Sequence, residues 1–276
     1  MSPGDEMAWP EALAHVPGAS AGAQITVRPL AGGTTNATFQ VQTGQGTFVV
    51  RLHESSAADL GVDRRREAVL QAAAAQAGFA SQVLAADPLG RYLVTQFLPG
   101  TPWSAADLKD AAQLRELARV LAGLHALPPP VVPPLDLAGL LEHHAVRIAA
   151  QDDAAALQLA PRLAQARQIL ARQGAAGRPS CIIHGDLTHA NIIGRHPPRL
   201  IDWEYAFVGD PLAELACLLA YYPQLWPYAP SLLDWCGLAG SASLGALDEL
   251  AGVYRLATDL WYRRLALARR HPGPAH

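Results

Sequence analysis

Lysine is almost missing from this chain: of 21 basic residues in 276, only Lys109 is a lysine and the rest are arginines. That scarcity excludes the phosphate-cradling G-x-x-x-x-G-K-[ST] loop, because Lys109 has no glycine beside it and Asp110 follows it. Cysteine is scarce too. Cys181, Cys217 and Cys236 are far apart, odd in number and without C-x-x-C spacing, which speaks against a disulfide framework or a zinc ribbon and for reduced core thiols. No run approaches the ~18 uninterrupted apolar residues of a membrane span; the longest candidate, Leu215 to Tyr222, stops at Pro223. Arg28 is the first basic residue, so the positively charged start of a secretory signal is missing and a cytoplasmic protein is expected. An excess of basic charge is also lacking. Against 24 acidic residues the net charge is −3 and the pI near 6.3, without the electrostatic footprint of a phosphate-backbone binder, so nucleic acid is not an expected partner.

Half of the chain is hydrophobic and 16% is charged, enough for a substantial core in one large domain or two modest ones. From Ile25 to Phe97 the pattern is strand-like, with alternation in Ala37 to Thr43 and in Thr47 to Leu52 around a Gly44-Gln45-Gly46 turn. A helix is expected from Asp63, which can cap it, to Gly78, followed by strands Gln82 to Ala86 and Arg91 to Phe97 around the turn Asp87-Pro88-Leu89-Gly90. After Leu98-Pro99-Gly100 the spacing turns helical, first over Ala106 to Leu127 before the prolines at 128–130. The exception is Cys181 to Ile201, where short apolar runs alternate with Gly, Asp and Asn. Strands followed by helices give an α+β chain of two lobes, residues 1–98 and 99–276, with a crevice as the default ligand site.

The densest polar cluster is His184-Gly185-Asp186-Leu187-Thr188-His189-Ala190-Asn191, followed by Asp202 in Leu200-Ile201-Asp202-Trp203-Glu204. Bracketed by Ile182-Ile183, Ile192-Ile193 and Leu200-Ile201, these residues belong on loops held by buried strands. Magnesium on phosphate oxygens takes hard oxygen ligands, one or two carboxylates plus an amide oxygen, a role that fits Asp202 and Asn191. Asp186 then remains to accept the proton of an attacking hydroxyl.

The pattern H-G-D-x-x-x-x-N followed by I-D-W-E resembles the catalytic and metal loops of kinase-like small-molecule phosphotransferases, a superfamily that includes aminoglycoside phosphotransferases, choline/ethanolamine kinases and thiamine kinases. The resemblance runs from about Ile25 to Tyr222 and implies a protein-kinase-like fold, a small antiparallel-sheet N-lobe and a mainly helical C-lobe, with ATP and Mg²⁺ as cofactors. It matches Asp186 to the catalytic aspartate, His184 to the structural histidine of the loop, and Asn191 and Asp202 to the metal ligands. Gly32, Gly33, Thr34, Thr35 and Asn36 would form the loop over the ATP phosphates, where glycine lets backbone N–H groups approach closely. Arg51 stands where the superfamily usually has lysine, as in the choline and thiamine kinase branches, and Glu67 would be its acidic partner. Gln96 and Leu98 lie in the strand and hinge whose backbone would hold adenine.

The segment around Asp202 is most similar to bacterial thiamine kinases and, slightly less, choline kinases, which implies a cationic alcohol as acceptor. Aromatic faces and carboxylates hold such cations, which points to Glu204, Tyr205, Glu214 and Trp261 among many C-terminal aromatics. Aminoglycoside phosphorylation and a kinase-like binding protein without turnover are the alternatives.

Blander features stand beside these. Gly18-Ala19-Ser20-Ala21-Gly22 matches G-x-S-x-G but has no strand before it, and chance explains it. His143-His144 and the Arg64-Arg65-Arg66 run read as solvated helix faces, the latter near enough to the expected phosphate site to leave a nucleotide contact open.

Overall fold

The computed structural model describes residues 3–30, 36–53, 60–151 and 153–270. It falls into two compact units, Met1–Ser104 with His189–Ala206, and Ala105–Thr188 with Phe207–His276.

The first unit is built on a five-stranded antiparallel sheet in the order β1-β2-β3-β5-β4, with β1 Thr26–Leu30, β2 Asn36–Thr43, β3 Gly46–His53, β4 Val83–Ala86 and β5 Tyr92–Gln96. β2 and β3 pair without interruption from Asn36 opposite His53 to Thr43 opposite Gly46, as their alternation and two-residue turn require. β3 is central and β1 is an edge, so Val50 and Leu52 are buried while every residue of β1 is exposed. The expected helix is α2, Arg64–Gln76. Asp63 caps it, its carboxylate accepting the N–H groups of Arg65 at 3.1 Å and Arg66 at 3.0 Å, and Gly78 leaves it at φ +83°.

One element lies outside the expected pattern. Helix α1, Pro3–Leu13, lays Ala8 and Ala12 against Val41, Phe48, Val50 and Val94, and Trp9 meets Phe39 edge-on at 4.9 Å between ring centroids. The arginine run also differs from expectation: Arg65 alone is exposed, while Arg66 and Glu67 are buried and Arg64 is half-buried.

The second unit is mainly helical. Asp110 caps α3 (Ala111–His125), splitting the expected Ala106–Leu127 helix into a short 3₁₀ turn at Asp107–Lys109 and α3. Helices α4 (Leu137–Ala149), α5 (Asp153–Ala175) and α8 (Leu244–Arg270) pack against one another, and α6 (Leu212–Tyr221) packs on α8. Leu212 through Leu219 are all buried, which makes α6 the central helix of this unit and explains its apolar character on every side. Helix α7 (Ala229–Trp235) packs on α3. His143 is exposed but His144 is buried in α4, so the pair is not a solvated face. Among the described residues no helix is long and apolar enough to cross a membrane.

Four short strands carry the polar motifs. In the second unit β6 (Cys181–Ile183) pairs with β9 (Phe207–Gly209), and Arg178 grips Asp210 just beyond with both Nε and Nη2. In the first unit β7 (Ile192–Ile193) pairs with β8 (Arg199–Leu200). That hairpin is tied to the rest of its unit by backbone bonds from Leu200 N to Phe79 O at 2.8 Å and from Trp103 N to Ile192 O at 2.9 Å.

Candidate active site

β6 ends at Ile183, and the chain turns into the loop that carries Asp186. His184 is completely buried, and its Nδ1 accepts the N–H of Asp186 at 3.3 Å. Gly185 sits at φ +77°, a conformation that costs other residues a steric penalty. Glu214, wholly buried on α6, accepts the N–H groups of His184 at 2.6 Å and Gly185 at 3.2 Å. Cys217, one helical turn on, donates its thiol to the Gly185 carbonyl at 3.3 Å. Both peptide groups before Asp186 are therefore fixed by side chains from one helix. The same helix supplies Tyr221, whose hydroxyl donates to Asp186 Oδ1 at 3.0 Å.

Burial, and next the charge of Asp186, push the Tyr221 phenol far above its ordinary range, so it stays a donor. Burial followed by the same charge raises the Cys217 thiol, which removes it from consideration as a nucleophile. Burial likewise raises Cys181, and raises Cys236 to about 12. All three cysteines are free and buried.

In the first unit the β7–β8 hairpin brings Asn191 and Asp202 together. Asn191 immediately precedes β7, and its carbonyl accepts the N–H of Ile201 at 2.9 Å, so Asp202 leaves the opposite strand beside it. Asp202 has φ +64° and is the one non-glycine residue with a positive φ among those described. Such a conformation persists only where its surroundings hold it. Here the hold comes in part from Arg51 on β3, whose Nη1 donates to Asp202 Oδ1 at 2.7 Å. Arg51 Nη2 pairs with Glu67 on α2, as sequence reasoning expected of these two residues.

The network continues beyond Glu67. Arg64 Nη1 donates to Glu67 Oε2 at 3.0 Å and to Glu204 Oε2 at 3.1 Å, and Arg64 Nη2 donates to Asn36 Oδ1 at 2.7 Å. Asn36 closes the circuit, donating from Nδ2 to Glu204 Oε2 at 2.9 Å. Arg51 and Arg64 are balanced by Glu67 and Glu204, so Asp202 carries one negative charge in excess. Its side chain keeps 36% of its exposure.

The Asp202 carboxylate and the Asn191 amide, brought near each other by the hairpin backbone, are hard oxygen donors of the kind magnesium takes. Among the described residues no group of three or more His, Cys, Asp or Glu suits a metal by itself. Magnesium characteristically takes only one or two protein carboxylates and completes its shell with water and phosphate oxygens.

The sequence profile of the phosphotransferase enzyme family matches residues 26–247. The chain belongs to that family. It is therefore an enzyme of the phosphotransferase class, and its sheet-bearing N-terminal unit and helical C-terminal unit accord with the fold of solved relatives. A choline/ethanolamine kinase family protein from Mesorhizobium loti superposes with a TM-score of 0.70 at 20% identity, over 99% of this chain and 89% of that one. Choline kinase from Streptococcus pneumoniae gives 0.70 at 16% identity, over 90% and 86%. An aminoglycoside phosphotransferase in ternary complex with AMP-PNP and hygromycin B gives 0.60 at 19% identity, over 90% and 94%. No curated protein matches the chain.

Against this family background, the expected residues divide between the two units. Asn36, Arg51, Glu67, Asn191, Asp202 and Glu204 belong to the first, where a continuous chain of polar contacts joins all but Asn191, whose backbone places it beside Asp202. His184, Asp186, Glu214 and Trp261 belong to the second. Gly32, Gly33, Thr34 and Thr35 lie outside the described residues. Gln96 ends β5 with an exposed side chain, its N–H given to Gln82 O, and Leu98 is buried just beyond. Tyr205 is half-buried, and Trp261 on α8 packs edge-on against Tyr262 at 5.0 Å.

Glu204 and Glu214 resembled acceptor-site carboxylates, yet each is committed to protein partners, Glu204 to Arg64 and Asn36, Glu214 to the loop backbone. Sequence reasoning left a nucleotide contact open for the Arg64 run and counted Tyr221 only among the C-terminal aromatics, without singling out either for these contacts. A faint sign of the first was the i, i+3 spacing of Arg64 and Glu67 on a capped helix. For Tyr221, 35 positions from Asp186, no local pattern gives a sign.

Proposed function

We propose that this phosphotransferase moves the γ-phosphoryl group of ATP, in the presence of Mg²⁺, to a hydroxyl on a small cationic alcohol, with thiamine or a choline-like amino alcohol as the acceptor. The observation that carries this reading is the arrangement around Asp202: a positive-φ carboxylate bonded to Arg51, backed by Glu67 and set beside Asn191 by the β7–β8 hairpin. A surface ion pair needs none of that apparatus, whereas a metal–phosphate site uses a carboxylate held in place with a fixed positive charge close by.

In this reading Asp186 orients the acceptor hydroxyl and takes its proton, and Tyr221, bonded to one carboxylate oxygen, keeps that carboxylate in one orientation. His184, Gly185 and Glu214 keep the loop in shape. Asn191 and Asp202 would hold magnesium, which when bound neutralises developing charge on the phosphate oxygens. Arg51, held by Glu67, adds a fixed positive charge to the phosphates, and residues 32–36 supply backbone donors. Gln96 and Leu98 mark the adenine end. Catalysis is then chiefly positioning and preorganised electrostatics.

A cationic acceptor is supported by what surrounds Asp186 in its own unit. Tyr221 touches it, and Trp261 and Tyr262 of α8 pack edge-on against each other in the same unit. One carboxylate with aromatic faces suits a single positive charge. A polycationic aminoglycoside calls for several free carboxylates, and Glu204 and Glu214 are already engaged. The test is a mass-spectrometric assay with ATP and Mg²⁺ offering thiamine, choline, ethanolamine and kanamycin separately. Transfer to at least one of the first three acceptors with kanamycin spared is expected; transfer to kanamycin alone contradicts the acceptor class. Nucleotide binding with no transfer to any of them favours a binding protein.

A further inference from the structure

Three residues from distant parts of the chain, Asn36 at the start of β2, Arg64 at the start of α2 and Glu204 two residues after Asp202, meet in a closed triangle in which each bonds the other two. The Arg64 side chain is 10% exposed and that of Glu204 7%. A planar guanidinium with a fork of donors can serve Asn36, Glu67 and Glu204 at once; an ammonium group cannot hold that geometry. Beside the triangle, Arg66 Nε donates to the Ala206 carbonyl at 2.9 Å, a second tie between α2 and the segment that follows Asp202. Glu67 then links the triangle to Arg51, and Arg51 links it to Asp202.

From this geometry we infer that Arg64 and Glu204 are positioning residues for the nucleotide and metal side of the site, and that Glu204 does not hold the acceptor. The inference rests on the function proposed above. Its physical content is a matter of where charge is tied down. Glu67 gives one oxygen to each arginine, so the place of Arg51 depends on what else Arg64 holds. With Glu204 present, the two Nη groups of Arg64 are held by two carboxylates and an amide, and Glu67 is shared in a fixed way. Without that carboxylate, Arg64 leans wholly on Glu67 and Asn36, and the contact that sets Arg51 against Asp202 loosens. A cation-binding role would instead need a Glu204 carboxylate open to the acceptor, and its Oε2 already receives two donors in a buried setting.

The experiment compares Glu204→Gln, Arg64→Lys and Asn36→Ala with the wild-type chain. Affinity for a non-hydrolysable ATP analogue with Mg²⁺ is measured by calorimetry, KM for the acceptor is measured by phosphotransfer, and melting is followed in parallel. Loss of a hydrogen bond to a buried charge corresponds to about tenfold or more in affinity, so nucleotide Kd should rise by that factor in Glu204→Gln and Arg64→Lys. Asn36→Ala leaves the Arg64–Glu204 pair intact and should weaken nucleotide less, which keeps the test decisive if the charged variants fold poorly. Acceptor KM should stay within about twofold throughout. A raised acceptor KM with unchanged nucleotide affinity overturns the inference, and so does no change in either. If the wild-type chain binds no nucleotide, the proposed function falls and takes the inference with it; wild-type binding with unaltered variants overturns the inference alone.

Discussion

The Tyr221 hydroxyl donates to Oδ1 of Asp186 at 3.0 Å, joining the central helix of the second unit to the carboxylate of its polar loop. A phenol kept protonated by burial and by that carboxylate is a one-way donor. It restrains the rotation of the Asp186 carboxylate. Tyr221→Phe keeps the ring and removes the hydroxyl, so kcat should fall about tenfold, the worth of one hydrogen bond to a charge, with little change in either KM. Steady-state kinetics check this; a raised acceptor KM at unchanged kcat would assign Tyr221 to binding instead.

The hairpin that joins Asn191 to Asp202 predicts a shared dependence on metal. Asp202→Ala and Asn191→Ala should each abolish turnover or shift the Mg²⁺ concentration needed for half-maximal rate upward by an order of magnitude or more. Removing the Asp202 carboxylate also takes a partner from buried Arg51 at a positive-φ position, so melting should fall modestly while the fold survives. Full activity at low Mg²⁺ in Asp202→Ala would remove it from the metal site.

Glu67 is the opposite case, buried at 1% exposure with a guanidinium on each oxygen. Glu67→Ala removes the carboxylate that Arg51 and Arg64 share, leaving Arg51 to Asp202 and Arg64 to Glu204 and Asn36, and should cost up to about 3–5 kcal/mol, the range for breaking a buried pair. Chemical denaturation should register that loss together with weakened nucleotide binding. A variant as stable as the wild type would mean that the pair carries no structural role.

His53 links stability to pH. Its ring is lowered from 6.5 to about 2, first by burial and then by the charges of Arg51 and Arg64, and as a neutral ring its Nδ1 donates to the Gly90 carbonyl at 2.9 Å. The unfolded chain takes up a proton below pH 6.5 that the folded chain refuses until about pH 2. This contribution is therefore complete above pH 6.5 and is lost as pH falls across that window, at up to about 1.4 kcal/mol per pH unit. Denaturation curves between pH 7 and 5 should show a shallower decline in His53→Asn than in the wild type. Equal slopes would contradict the burial of this ring.

Much of the first unit, and the polar loop of the second, was legible because the cues are local. Alternation set β2 and β3, Asp63 and Gly78 bounded α2, and the order of Asp186, Asn191 and Asp202 marked the polar loops. Helix α1 escaped because its buried residues are small, Ala8 and Ala12 among them, and Pro10 interrupts its pattern. The commitments of Glu204 and Glu214 escaped for another reason. Glu204 finds Arg64 140 positions away and Asn36 168 away, and no periodicity encodes such a meeting. Glu214 did carry a clue: one carboxylate inside an unbroken apolar helix must have buried donors to justify it, and the backbone of His184 and Gly185 supplies them. The arginine run misled because exposed charge is the ordinary case, whereas Arg64 and Arg66 are drawn inward by acceptors on a distant segment.

The most direct measurement is phosphoryl transfer itself. Wild-type chain, Asp186→Asn and Asp202→Asn are incubated with ATP, Mg²⁺ and thiamine, choline or ethanolamine, and products are read by mass spectrometry. The account predicts a phosphorylated alcohol with the wild type, and rates at least about a hundredfold lower with either variant while both remain folded. Product formed at the wild-type rate by Asp186→Asn would contradict it.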